Sequence, residues 1–176
     1  MVYRKQFVPY RVIVRTRSSG ANSEGPEVVM ANPPTGMSRV VPYLFYEDVA
    51  STLTWLAKAF GFVEHLRYTD DDGSVTHAEI RMSDGVVMLG HPGGSYQNPR
   101  HHDHLHSSLV VYVDDVDGHC ARAKEAGPEI ISEPADTPYG DRMYSVKDPE
   151  GHRWDFCQHI KDVAPEDWGA KVADPR

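Results

Sequence analysis

The chain has 176 residues, 40% of them hydrophobic, and a formal net charge of -8. That is enough apolar material for one domain or two small fused modules. No apolar run approaches the roughly 20 residues of a membrane span, and the acidic balance argues against nucleic acid as a partner. The two cysteines, Cys120 and Cys157, have no metal-type spacing. They read as core thiols in a reducing compartment, with the cytoplasm as the default location.

The first seventeen residues carry Arg4, Lys5, Arg11, Arg15 and Arg17 and no acid. Transit peptides share this bias, but Pro9 and Arg11 interrupt the apolar run that a secretory signal needs. We read residues 1–37 as an N-terminal arm and linker. FVPYRVIV, residues 7–14, suits an edge strand that tolerates Pro9, and residues 18–38 are rich in Gly, Pro, Ser and Asn. The folded domain is expected over 38–162, with residues 163–176 as a C-terminal tail.

From Val40 the chain becomes patterned. Residues 40–46 are β-rich, Asp48 is placed as an N-cap, and Val49, Leu53, Leu56 and Phe60 fall on one helical face. Gly61 is placed to end that helix in a left-handed cap. Strand signals follow in EHLRYTD, THAEIRM and GVVMLG. Residues 109–127, LVVYVDDVDGHCARAKEAG, repeat the grammar: a β-rich run, Asp115 as cap, a helical face through Val116, Cys120 and Ala123, and Gly127 as stop. PEIISEP, RMYSVKD and GHRWDFC complete the second half. The order β-α-β-β-β therefore occurs twice, over about 39–97 and 104–160, and repeats this long imply a duplicated unit. The predicted fold class is α+β, with two βαβββ modules in tandem whose curled mixed sheets surround a cavity.

At this point a resemblance appears. YGDRMYSVKDPEGHRWDF, residues 139–156, and VPYLFYEDVASTLTWLAKAFGF, residues 41–62, resemble the vicinal oxygen chelate superfamily, and most closely its glyoxalase/bleomycin-resistance-like members. The resemblance implies paired modules, a homodimer and a cavity on the concave sheet. It implies that metal-using relatives take two histidines and one or two glutamates from the first and last strands of each module. It speaks for a fold and leaves the activity open.

Strand alternation sorts the candidate ligands. From His106 to Val113, the set Leu109, Val111 and Val113 is apolar and belongs under the helix. His106, Ser108, Val110 and Tyr112 form the cavity set, which His104 shares and His101 does not. In the last strand Trp154 and Phe156 are the apolar set, while Arg153, Asp155 and Cys157 face the cavity. Asp155 stands where metal-using relatives carry glutamate, one methylene shorter. In the first module, pairing Asp48 with Asp115 puts Arg39, Val41, Tyr43 and Phe45 on the cavity side. The histidine position falls at Val41, and the last-strand position at Leu89, or at Met88 if the turn shifts by one. None of these is an ordinary ligand. His106, Asp155 and His104 are thus the candidate donors for a divalent ion, against the three protein ligands that zinc requires.

Two functions compete. The leading one is a small-molecule binder that sequesters a planar or cationic compound between Tyr43, Phe45, Leu89, Ser108 and Tyr112, since flat rings suit planar ligands and an acidic protein attracts cations. The rival is a metal-assisted lyase, isomerase or dioxygenase, or a metal-free variant in which Glu79 or Asp155 moves a proton. The plainer reading of Glu79 is a charge pair with Arg67 or Arg81. His101 and His102 are expected in a solvated connection between modules.

Overall fold

The computed structural model describes residues 32–34, 36–102, 105 and 107–172. The basic arm, the strand expected over 7–14, most of the linker, and both His104 and His106 lie outside the described residues. The first module runs β1 (Tyr43–Phe45), α1 (Val49–Phe60), β2 (Val63–Thr69), β3 (Val75–Met82) and β4 (Gly85–Gly90). The second runs β5 (Ser108–Tyr112), α2 (Val116–Glu125), β6 (Glu129–Asp136), β7 (Asp141–Lys147) and β8 (Arg153–His159). Each sheet has four strands, in the orders β1-β4-β3-β2 and β5-β8-β7-β6. The β1/β4 and β5/β8 pairs are parallel and the others antiparallel. The duplicated βαβββ arrangement read from the repeat is therefore present.

Local signals set the element ends. The Asp48 carboxylate accepts the Ser51 N–H at 2.9 Å and that of Asp115 accepts the Gly118 N–H at 3.0 Å, each satisfying a donor that the first helical turn leaves without a partner. Gly61 closes α1 at φ 80°, a conformation that costs glycine little because it has no Cβ.

The helix-facing sides of both sheets share one core. Leu53, Leu56 and Phe60 of α1 join Ala78, Ile80 and Leu89 from the first sheet, and Tyr144, Val146, Trp154 and Phe156 from the second. Full burial of such a side chain is worth about 1.5–3 kcal/mol. Phe60 meets Trp154 and Phe156 at ring distances of 5.6 and 4.7 Å. His119 stitches the helices: one ring nitrogen bonds the Phe60 carbonyl at 2.9 Å and the other the Tyr144 hydroxyl at 2.7 Å. A carbonyl only accepts, so Nε2 carries the proton and Nδ1 accepts from Tyr144.

The expectation for Leu89 is corrected by the strand register. Leu89 pairs with Leu44 and is wholly buried in the core. The position opposite Tyr43 on the concave face belongs to Met88. Counting from the turn glycines fails because β4 begins at Gly85 itself, paired to Met82, whereas His152 intervenes between Gly151 and the start of β8. Val110 pairs with Asp155 as Tyr43 pairs with Met88, so Met88 is the true counterpart of Asp155.

Candidate ligand site

Strand parity places Tyr43 and Phe45 on the concave side of β1, and Ser108, Val110 and Tyr112 on that of β5. Leu109 and Val111 turn under the helix, against the core. Two hollows flank these edge strands. One, about 380 Å³, is lined by Tyr43, Phe45, Tyr96, Leu105 and His152. The other, about 500 Å³, is lined by Val40, Val86, Ser108, Val110 and Tyr112. Each combines the edge strand of one module with the last hairpin turn of the other. The structure thus groups Tyr43 with Phe45, and Ser108 with Tyr112, and it removes Leu89.

The first hollow is aromatic. Tyr43 and Phe45 lie 5.1 Å apart, ring to ring, and Phe45 meets Tyr96 edge-on at 6.2 Å. The Tyr96 hydroxyl donates to the Phe45 carbonyl at 2.7 Å. Burial, with the charges of Glu150, Glu47 and Asp148 adding to it, pushes that phenol up to about 12, so it stays protonated and keeps donating. Phe45, at the end of the edge strand β1, is 41% exposed. Tyr96 comes from a Gly/Pro-rich connection with no periodicity, so no pattern in the sequence marks it as part of the site.

Beside the rings, β3 carries His77 and Glu79 on the concave face. The Tyr43 hydroxyl bonds His77 Nδ1 at 3.0 Å. His77 Nε2 stands 4.0 Å from Glu79 Oε1, beyond hydrogen-bond reach, and neither atom has a hydrogen-bond partner. Burial lowers the His77 pKa, an effect that the Glu79 charge partly opposes. Arg67, one partner expected for Glu79, is taken by Glu64.

One oxygen of Asp155 is already engaged. Its Oδ1 accepts the Ser145 hydroxyl at 2.5 Å and Arg153 Nε at 3.0 Å. Arg153 Nη2 in turn reaches Ser145 at 3.1 Å. The guanidinium charge 3.0 Å from this carboxylate opposes a divalent ion there. Among the described residues no group of three or more His, Cys, Asp or Glu is placed to hold a metal.

The acidic turn after β7 has a structural role. The Glu150 carboxylate accepts the backbone N–H groups of Glu47 and Asp48 at 2.6 and 2.8 Å, and the Asn98 amide at 2.7 Å. The buried Asp148 carboxylate accepts Tyr46 at 2.7 Å and Trp154 Nε1 at 3.1 Å. His152 reaches the Phe45 carbonyl at 2.8 Å. This clasp fastens the second module to the start of α1 and holds β1 against the rim of the first hollow. Arg142 is likewise structural, tying α2 to β6 through Asp117 and Asp136.

Paired βαβββ modules with open concave sheets define the class to which the fold belongs. The chain is a member of the Glyoxalase/Bleomycin resistance protein/Dioxygenase superfamily, whose family model matches residues 36–156. It is 33% identical over 127 residues to an uncharacterized protein of Mycobacterium tuberculosis, covering 69% of this chain and 75% of that one. Among solved structures it is similar to TioX from Micromonospora sp. ML1, with a TM-score of 0.58 and 35% identity over 70% of this chain and all of TioX (100%). FosX of Listeria monocytogenes, crystallised with Mn(II) and 1S,2S-dihydroxypropylphosphonic acid, shares the fold alone: TM-score 0.54, 14% identity, 73% of this chain and 93% of that one.

Proposed function

We propose that this protein binds a planar small molecule, neutral or cationic, in the hollow beside β1, and that it does so as a homodimer without an obligatory metal. The observation that carries the reading is the ring cluster of Tyr43, Phe45 and Tyr96 around a cavity of about 380 Å³. Rings held at fixed angles present flat apolar area with little rotamer entropy left to lose, and planar ligands gain most from such walls. The net charge of -8 adds long-range attraction for a cation. Binding of this kind needs no chemical step.

The rival, a metal-assisted lyase, isomerase or dioxygenase, would draw on His104 and His106, and would have to place its ion on Asp155 beside the Arg153 guanidinium. Calorimetric titration with acridine and its N-methyl cation, together with thermal melts, tests the binding reading. The expected result is a saturable heat, a rise in melting temperature and at least about tenfold weaker binding in Phe45→Ala, since losing a ring–ring contact and its buried area costs about 1.4 kcal/mol or more. Absence of binding, together with stoichiometric metal that disappears in His106→Ala, would replace this reading with the rival.

A further inference from the structure

The two modules finish their outer edges differently. β1 and β5 are each the outermost strand of a sheet. In the first module the edge is capped: the Phe45 carbonyl accepts the Tyr96 hydroxyl at 2.7 Å and His152 Nε2 at 2.8 Å. Phe45 pairs with Gly90 as Tyr112 pairs with Cys157, so Tyr112 is its counterpart. The Val113 N–H bonds the Cys157 carbonyl at 2.8 Å. Backbone direction alternates along a strand, so the N–H and C=O groups of Ser108, Val110 and Tyr112 point away from β8. Among the described residues none caps them. The facing turn between β3 and β4 holds only Ser83 and Asp84, and neither bonds this edge. Beside it lies the hollow of about 500 Å³, walled by Val40, Pro42, Phe62, Val86, Val110 and Tyr112. An uncapped edge next to an apolar hollow is a template for another strand.

The occupant that fits belongs to this chain. Ser38 and Val40 line the same hollow, so the chain passes beside β5 on its way into β1. Upstream, FVPYRVIV has the β-branched and aromatic composition of a strand. With Val8, Tyr10, Val12 and Val14 bonded to β5, Pro9 falls on the side that needs no N–H. Val14 and Asn32 are 18 residues apart, up to about 60 Å of extended chain. Charge agrees as well. Residues 1–17 carry five positive charges and no acid, and the rest of the chain carries -13 within the total of -8. Asp84 lines the hollow and Asp114 follows β5, both exposed.

We propose that residues 7–14 add to the outer edge of β5 as a fifth strand of the second sheet, within the same chain. The arm covers an edge and leaves the concave face open, and the pairing does not depend on the ligand reading.

Nuclear magnetic resonance on the full chain tests this. The Val110 and Tyr112 amides of the wild type are expected to exchange with solvent at least about tenfold more slowly than those of Tyr10→Pro, where one bond to the edge cannot form. The Trp154 and Phe156 amides of β8 should exchange alike in both proteins, showing an intact domain. Cross-strand nuclear Overhauser contacts from Tyr10 or Val12 to Val110 are expected in the wild type, a measurement that needs no variant to fold. Their absence overturns the proposal. Fast exchange of Val110 and Tyr112 in both proteins overturns it too, since the edge is then open. Slow exchange in both does the same, because something other than the arm then covers the edge. Contacts found only between differently labelled chains in a mixed sample would give the strand to a second copy and overturn the pairing within one chain.

Discussion

His159 shows how one side chain can set a pH dependence. Its Nδ1 lies 2.9 Å from Asp141 Oδ1 and its Nε2 lies 3.0 Å from Asp162 Oδ1, and Tyr112 donates to the other Asp141 oxygen at 2.9 Å. The hydrogen bonds to Asp141 and Asp162, together with their charges, raise its pKa above the ordinary value. A raised folded value means that the stabilisation is complete below the unfolded value of about 6.5 and fades as pH climbs through the folded one. His119 and His77 behave oppositely, since burial lowers both. Their contribution is complete above about 6.5 and fades as pH falls. The wild-type profile is therefore a composite, and a difference measurement isolates His159. The melting-temperature gap between wild type and His159→Ala should be largest near about pH 5.5 and shrink toward about pH 8.5. A gap that stays constant across this range would show that the two aspartates do not hold the imidazolium.

At the scale of elements, the turn between β7 and β8 matters more than its length suggests. It has five residues, Asp148 to His152, where the first module uses only Ser83 and Asp84. The extra residues supply the carboxylates that receive the N-terminal turn of α1 and the connecting segment at Asn98. Gly151 sits at φ 91°, and a Cβ there would fall 2.6 Å from the Arg100 amide nitrogen, so the connection passes directly over it. Replacing Glu150 by Ala strands three donors at once: Glu47 N, Asp48 N and Asn98 Nδ2. The expected cost is about 3 kcal/mol, with Glu150→Gln falling between this and the wild type. Urea denaturation measures both. A loss under about 0.5 kcal/mol, the usual scale of an inconsequential surface change, would mean that the modules stay joined through the shared core alone.

At the scale of the whole molecule, both sheets turn their helix sides into one core and leave their concave sides outward. Val63 and Tyr68 of the first sheet and Val110 and Tyr112 of the second are exposed there, Tyr112 to 61%. Large apolar side chains grouped on a sheet face mark an interaction surface, and a twofold pairing of identical chains is the commonest way to cover one. Light scattering on the purified protein should give twice the chain mass, and Val110→Glu should return it toward a single chain. A monomeric wild type would remove the dimer from the proposal. No helix among the described residues is long and apolar enough to cross a membrane.

The sequence alone determined the α+β class, the duplicated module, the Asp48 and Asp115 caps and the face on which each residue of β5 and β8 lies. These are local properties, fixed by side-chain period and by which residues satisfy a helix end, and they need no knowledge of distant neighbours. Tertiary structure alone decided that Met88, and not Leu89, stands opposite Tyr43. It decided that Asp155 is held by Ser145 and Arg153, that Tyr96 joins the rings, and that His77 and Glu79 stand 4.0 Å apart with no hydrogen bond between them. Those facts depend on which strand lies beside which, and in what register. A one-residue offset in a strand exchanges its two faces, and no repeat in the chain encodes that offset.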